Sequence, residues 1–507
     1  MGVTAAALGR RRLWRGVVAA LLAPLAAAAL ASDSAQAQIP GVPPIPIPGN
    51  PLGDSPKFQG SPATPNPVTG IDAPPQHPFM APNERSNIHN DAYQTDVYEV
   101  AGPLGDGAEV STLFAHECAS IAFDSGGRIV SVCVGLERPM LVLLDPHTLR
   151  TLAAKPLPFR NLLSGSNPFT DFSGGGYFYL DHRDRAVVAT NDRRVLVVVA
   201  RPGLPVERTY SLTGAVGPSD GIVSVLPDWE GRLWFVSRRG VVGTIDPDSG
   251  TVRKVALGEG ISNSFAVDDG GGVYIVSAAA LYRFDAGAGG APEVSWRQPY
   301  PDSGIHKPGQ SDAGSGTTPT VMGRRWVAIT DNADPMNVRV YRRGIGVRPA
   351  RREVCAEPVF ATGRSATDQS LIVAGRSIVA ENNYGYSGIA AVQFGRTTTP
   401  GLARVDVVRS ADGGWECRTV WTSSERAPSV VPKLSLATGL VYTYTKPAGT
   451  GISDPWYLTA LDFRTGATVF RRLAGEGLGY NNNYAPVTLG PDGTAYVGVL
   501  GGLAAFR

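Results

Sequence analysis

Short apolar runs broken by small polar turns dominate this chain from residue 95 to its last residues. Val223-Ser224-Val225-Leu226 is followed by the turn Pro227-Asp228-Trp229-Glu230-Gly231 and by Arg232-Leu233-Trp234-Phe235-Val236. A run from Val241 to Ile245, the turn Asp246-Pro247-Asp248-Ser249-Gly250 and Val252-Arg253-Lys254-Val255 complete the unit. Apolar runs this short, bounded by Gly, Asp and Pro, read as strands. No amphipathic stretch of helix length separates them, which argues against an α/β fold. The same order recurs in Cys118–Phe123, Asp124-Ser125-Gly126-Gly127, Arg128–Val134 and Met140–Leu144. It recurs last in Ala485–Leu489, Gly490-Pro491-Asp492-Gly493, Thr494–Val499 and Gly502–Phe506.

Units of this kind start near residues 118, 174, 221, 263, 317, 367, 428 and 484. Spacings of roughly 40 to 60 residues, with about four strands each, are the signature of β-propeller blades. One four-stranded sheet has two faces to bury, and stacking sheets around an axis buries both. The expected fold is therefore all-β, a propeller of eight blades over residues 86–507. The last unit supplies only three strands, so a strand from residues 92–113 is expected to complete it and close the ring. The sixth unit is interrupted by Asn382-Asn383-Tyr384-Gly385-Tyr386, which keeps seven blades as the competing count. A β-sandwich, or two β domains, is the competing architecture.

The N-terminal region differs in composition. Arg10, Arg11, Arg12 and Arg15 precede an apolar run from Val17 to Ala31 and the small-residue pattern Ala35-Gln36-Ala37. This is the layout of an export signal over residues 1–37 and predicts a secreted or extracytoplasmic protein. A retained membrane anchor is the alternative for that run, and no later segment is long and apolar enough to span a bilayer. Residues 38–85 are dominated by proline and are expected to form a loose or polyproline-like arm, or to pack their isoleucines on the folded body. Four cysteines in an exported chain favour disulfides. Cys118 and Cys133 are equidistant from their turn, so they lie opposite each other in a hairpin, where paired α carbons approach to about 4.5–5.5 Å. Cys355 and Cys417 precede the sixth and seventh starts by 12 and 11 residues and form the second expected pair, one that needs local loops to bend together.

The net charge of the chain is +2, with no basic stripe able to neutralise many phosphates, and nucleic acid is not expected as a partner. The Asp-Gly turns, as in Gly490–Val497, and the Asp-x-x-x-Gly pattern after strands, as in Leu461–Gly466, resemble those of the quinoprotein-like and YVTN-type bacterial β-propellers. The resemblance covers residues 90–507 and implies the fold; several unrelated activities use it. Quinone-dependent dehydrogenases of that group carry adjacent cysteines and a repeated tryptophan motif. This chain has neither.

Candidate chemistry sits in the polar segments just before the first strand of each unit, which a propeller gathers at one mouth of its channel. Glu117, Asp220, Asn263, Asp312 and Asp368 are hard oxygen ligands suited to calcium if they converge. His116, Glu117 and Asp368 are the candidate catalytic groups of a metal-dependent lactonase or other hydrolase, with Asn263 as a further ligand. Asn87, His89, Asp91, Asn382, Asn383, Tyr384, Asn481, Asn482 and Tyr484 are the candidate ligand-binding residues, amides for direction and rings for contact area. The competing reading is that these groups cap turns and strand ends, and that the tyrosines fill gaps between blades. The leading expectation is an exported propeller that binds a small molecule, a glycan or a protein at its mouth, with calcium as the expected ion. The hydrolase stands second and a quinone-dependent dehydrogenase third.

Overall fold

The computed structural model describes residues 47, 49–107, 109–135, 138–160 and 169–507. The export-signal segment, residues 1–37, lies outside them. Seven sheets of the propeller follow chain order and an eighth is completed by an early strand. Blade 1 begins with Glu117–Phe123, blade 2 with Tyr179–Leu180, blade 3 with Ile222–Pro227 and blade 4 with Ala266–Val267. Blades 5 to 8 begin with Thr320–Met322, Ile372–Ala374, Lys433–Ser435 and Val487–Leu489. Val110–Phe114 pairs antiparallel with Gly502–Phe506 and is the outer strand of blade 8, so both ends of the propeller share one sheet. The interruption at Asn382–Tyr386 is a loop within blade 6, between Ser377–Glu381 and Leu402–Arg409, and does not lower the count. Among the described residues no helix is long and apolar enough to cross a membrane.

Burial follows the blade order. In blade 3 every residue of Ile222–Pro227 and Leu233–Ser237 is buried, whereas the fourth strand, Val252–Ala256, alternates toward solvent. Inner strands have neighbours on both faces and so read as continuous apolar runs. The core lies between blades: one cluster joins Val379 of blade 6, Val441 of blade 7 and Val497 of blade 8. Burying such a side chain stabilises by ~1.5–3 kcal/mol.

The first turn of four blades is built alike. Asp124, Asp181, Asp228 and Asp268 follow the inner strand, and one oxygen of each accepts the N–H groups two and four residues on, at 2.9–3.0 Å. The residue between those donors has φ near +80° in Gly127, Gly231 and Gly271, where glycine has no Cβ penalty, and +54° in Asp184. The repeated Asp-Gly signal thus has a local cause.

Both disulfides are formed. Cys118 faces Cys133 across the first hairpin of blade 1. Cys355 and Cys417 lie within the outer strands of blades 5 and 6, so no loop needs to bend to join them. The outer strands already touch there: Glu357 accepts the Thr419 N–H at 2.9 Å.

The loose arm expected before residue 86 is corrected for its described part. Phe58–Gly60 pairs with Phe470–Arg472 as an extra strand on the outer edge of blade 7, and Phe58 stacks on Phe470. Ala63, Asn66 and Val68 then donate to Leu104, Thr438 and Leu436. An open sheet edge offers unpaired backbone groups, and non-proline positions of the arm use them. Further on, Arg85 to Tyr98 closes one end of the channel. Carbonyls of Arg85, Ser86, Ala92, Tyr93, Thr95 and Asp96 accept N–H groups of Phe123, Leu180, Val267, Val321, Val373 and Leu434, from the inner strands of blades 1, 2, 4, 5, 6 and 7. One irregular segment therefore satisfies inner-strand donors in six blades.

Candidate functional site

Above this plug, at the starting ends of the inner strands, lies a cavity of about 410 Å³. Ile88, His89 and Ser370 contribute to it from the plug and from blade 6, while Phe159, Phe172, Tyr177, Tyr484 and Leu500 give it apolar and aromatic surface. Glu117, first residue of the inner strand of blade 1, and Asp368, just before that of blade 6, both line it.

Their carboxyl groups are poorly served by the protein. Glu117 is 5% exposed; its Oε2 meets Asn483 Nδ2 at 3.4 Å and its Oε1 has no hydrogen-bond partner. Asp368 is 8% exposed; its Oδ2 accepts the Ser311 N–H at 2.7 Å and its Oδ1 has no partner. Burial pushes Glu117 up to about 8, against a smaller downward pull from Asn483 and Arg160. Burial likewise pushes Asp368 up to about 7, although Ser311 favours its charged form.

His89 is held from beneath. Its Nδ1 lies 3.1 and 3.3 Å from the two oxygens of Asp96 and 3.0 Å from Ser370 Oγ, and its Nε2 has no partner. Lys433 pairs with Asp96 and donates to the Ile88 carbonyl at 2.6 Å. Burial lowers the His89 pKa and outweighs the upward pull of Asp96, so the ring is neutral, with Nδ1–H on Asp96 and a lone pair on Nε2. Ser370 and Asp96 share the same ring nitrogen, and Ser370 also bonds Asp96 directly. A nucleophilic triad needs serine on the opposite nitrogen, so this group is not one.

Tyr484 and Asn483 stand on adjacent left-handed residues, with φ of +71° and +36°. Such backbone is strained for a bulky side chain. Asn481 Oδ1 accepts the Asn483 N–H at 2.9 Å and the Tyr386 hydroxyl at 3.1 Å, and Asn482 donates to the Ala485 carbonyl. The asparagine run thus fixes the loop that carries Tyr484. Phe172 meets Tyr484 edge-on at 5.4 Å and Tyr177 at 6.4 Å, and Tyr177 stacks on His89 at 6.3 Å.

The cavity brings together His89, His116, Glu117, Asp368 and Tyr484 from the sequence-derived candidates. The five expected calcium ligands are not brought together. Asp220 caps its strand end through Ser237 Oγ at 2.6 Å and the N–H groups of Gly221 and Arg239. Asp312 pairs with Arg238 and Ser262. Asn263 accepts the Tyr177 hydroxyl at 2.9 Å and orients that ring from behind. Among the described residues no group of three or more His, Cys, Asp or Glu side chains is placed to hold a metal ion. Asn87 and Asp91 make bonds within the plug, to His89 N and to Thr95. Asn382 secures Ala366 and Arg364, and Asn383 receives the Asp368 N–H at 2.9 Å, placing that carboxyl. Tyr384 lies outside the lining. Phe159, Phe172 and Tyr177 were not singled out as site residues by sequence; Phe159 and Phe172 lie between the first two unit starts, 118 and 174, and Tyr177 just after the second.

Together these features define an eight-bladed propeller with one channel end plugged and a cavity at the other. No protein-family model matches the chain. It is 29% identical over 315 residues to an uncharacterized protein of Archaeoglobus fulgidus, covering 56% of this chain and 60% of that protein. The chain thus spans less than two thirds of that relative. Among solved structures it is similar to BamB from Moraxella catarrhalis, with 14% identity, TM-score 0.42, and 64% of this chain and 93% of that chain covered. A streptogramin B lyase structure is similar at 10% identity and TM-score 0.39, covering 78% of this chain and 94% of that one. These are likenesses of fold.

Proposed function

We propose that this protein binds a small organic molecule in the mouth cavity. The observation that carries the reading is the pair of buried carboxyl groups, Glu117 and Asp368, each with an oxygen that no protein group serves, beside aromatic walls. An unserved buried acceptor costs about 1–3 kcal/mol, which a ligand donor recovers on binding. The cavity has room for a compact ligand rather than a folded partner. Export to an oxidising compartment fits this reading, since both cysteine pairs are bonded. The test is a calorimetric screen of ring-sized fragments against the wild type and Ala119→Trp, a substitution that blocks the cavity at a lining residue. Fragments should bind the wild type and lose at least tenfold in the variant. Equal binding to both would defeat the proposal.

A second reading, proton-transfer chemistry, rests on His89. Its Nδ1 proton is fixed on Asp96, which leaves Nε2 as a neutral base at the cavity floor, near carboxyl groups able to return a proton. If it acts so, His89→Gln abolishes turnover of a bound substrate while leaving its affinity within a few fold.

A further inference from the structure

We propose that the ligand of the mouth cavity is an organic ammonium ion, its N–H groups donated to Glu117 Oε1 and Asp368 Oδ1 and its body packed among Phe172, Tyr177 and Tyr484. The inference rests on the cavity-binding reading and names its ligand class. The acceptors left without partners in the lining include Glu117 Oε1, Asp368 Oδ1 and His89 Nε2, all on side chains more than nine-tenths buried. A ligand that supplies charged N–H donors suits such a set, and a protonated amine does so. It also supplies the charge that two buried carboxyl groups lack.

The aromatic geometry agrees. Phe172 presents its edge to Tyr177 and to Tyr484, both at 73° between ring planes, and Tyr386 stands at 87° to Tyr484 behind it. Rings set at right angles expose several π faces to one space, the arrangement that attracts cations. None of the arginine–ring contacts among the described residues involves Phe172, Tyr177 or Tyr484. The rim ring Phe159, by contrast, already carries Arg138 at 4.5 Å. A metal ion is a poorer match, because among the described residues no group of three or more His, Cys, Asp or Glu side chains is placed to hold one.

Binding such a cation must expel protons. Glu117 is faced by Arg160 and Tyr386, and Asp368 by Asp312, Tyr177 and Tyr484. His116, Arg138 and Asp171 stand elsewhere on the wall, and neutral His89 contributes at the floor. With burial holding both acids high, the cation binds their ionised forms and the affinity falls as pH falls. A neutral ligand that accepts hydrogen bonds from the protonated acids shows the opposite slope.

The probes are phenethylammonium and its uncharged counterpart 2-phenylethanol, titrated calorimetrically into the full-length protein at pH 6 and pH 8.5. The amine should bind at pH 8.5, weaken about tenfold or more at pH 6, and release protons, seen as heats that change with the buffer. The alcohol should bind at least tenfold more weakly than the amine at pH 8.5. Glu117→Gln and Asp368→Asn should each weaken the amine by about tenfold, flatten its pH dependence and move the alcohol less than twofold. Equal affinity for amine and alcohol, or tighter amine binding at pH 6, overturns the ammonium assignment and leaves the cavity reading intact. Amine binding unchanged by Ala119→Trp overturns both, as does failure of both probes and of the fragment screen.

Discussion

Two sets of buried acids in this molecule differ only in what surrounds them. Asp124, Asp181, Asp228 and Asp268 sit at the finishing ends of inner strands and are at most 4% exposed. Each takes two backbone N–H groups on one oxygen and a side-chain donor on the other, such as Arg128 Nε at 2.7 Å or Tyr274 OH at 2.6 Å. Glu117 and Asp368 sit at the starting ends, are buried nearly as deeply, and each leaves one oxygen unserved. The repeat supplies the first set with its partners, because the turn that follows the aspartate delivers the donors. The second set has no such repeat: Glu117 opens its strand after a two-residue connection from Phe114, and Asp368 lies in the loop before Ile372. A buried carboxyl that the fold itself completes is architecture, and one that it leaves incomplete marks the site.

Asp96 offers the most severe test of this contrast, since removing one partner turns a completed acid into an incomplete one. Burial pushes its carboxyl up, but Lys433 and His89 outweigh this and hold it below the usual range. Lys433→Met should cost ~3–5 kcal/mol at pH 8, read from the urea midpoint, because a stranded buried charge loses its counter-ion. A loss below ~1 kcal/mol would show that the pair contributes little. Asp228→Ala comes next, at ~2–4 kcal/mol, since it leaves Arg232 and the buried Trp234 Nε1, now 2.9 Å from the carboxylate, without their acceptor. An unchanged midpoint would remove the turn aspartates from the architectural set.

The legibility of the chain divides along the same line. Blade number, unit starts, ring closure and both cysteine pairs could be read because each arises from local turn chemistry or from equivalent positions in a repeat. Glu117 and Asp368 were legible as acids placed just before inner strands. Asp220 and Asp312 share that placement, and only the local donors Ser237 and Arg238 set them apart. Of the aromatic walls Tyr484 was legible, while Phe172 and Tyr177 were hidden because the rings meet across blades. The plug was hidden too. Asn87 to Asp91 reads as a polar binding segment and Thr95 to Val100 as a strand, whereas the carbonyls of Ala92, Tyr93, Thr95 and Asp96 accept backbone N–H groups far away in sequence.

Glu117→Gln reverses the sign of the first two tests. The folded pKa of Glu117 is raised, so its contribution to stability is present below the unfolded value, near 4.5, and is lost as pH rises through about 8. The variant carries no proton to lose. It should match the wild type near pH 4.5 and exceed it by up to ~5 kcal/mol at pH 9, the separation of 4.5 from about 8 taken at ~1.4 kcal/mol per pKa unit. Asp368→Asn should follow the same course with its upper end near pH 7. Thermal unfolding across pH checks both, and a destabilised Glu117→Gln at pH 9 would contradict the picture of an incomplete acid.

The smallest effect is expected at Arg128. Its guanidinium pairs with Asp124 at 2.7 Å but is itself 35% exposed, and the carboxylate also holds the N–H groups of Gly126 and Arg128. Arg128→Met removes the exposed partner and keeps both backbone donors. A half-exposed ion pair contributes ~0–1 kcal/mol, so the urea midpoint should move by no more than that. The distinction matters because Asp181 and Asp228 also pair with arginines, and a reader of sequence would credit the ion pairs. A loss above ~2 kcal/mol would mean that side chains, not the turn backbone, complete these acids. The line between architecture and site would then have to be drawn from side-chain partners alone.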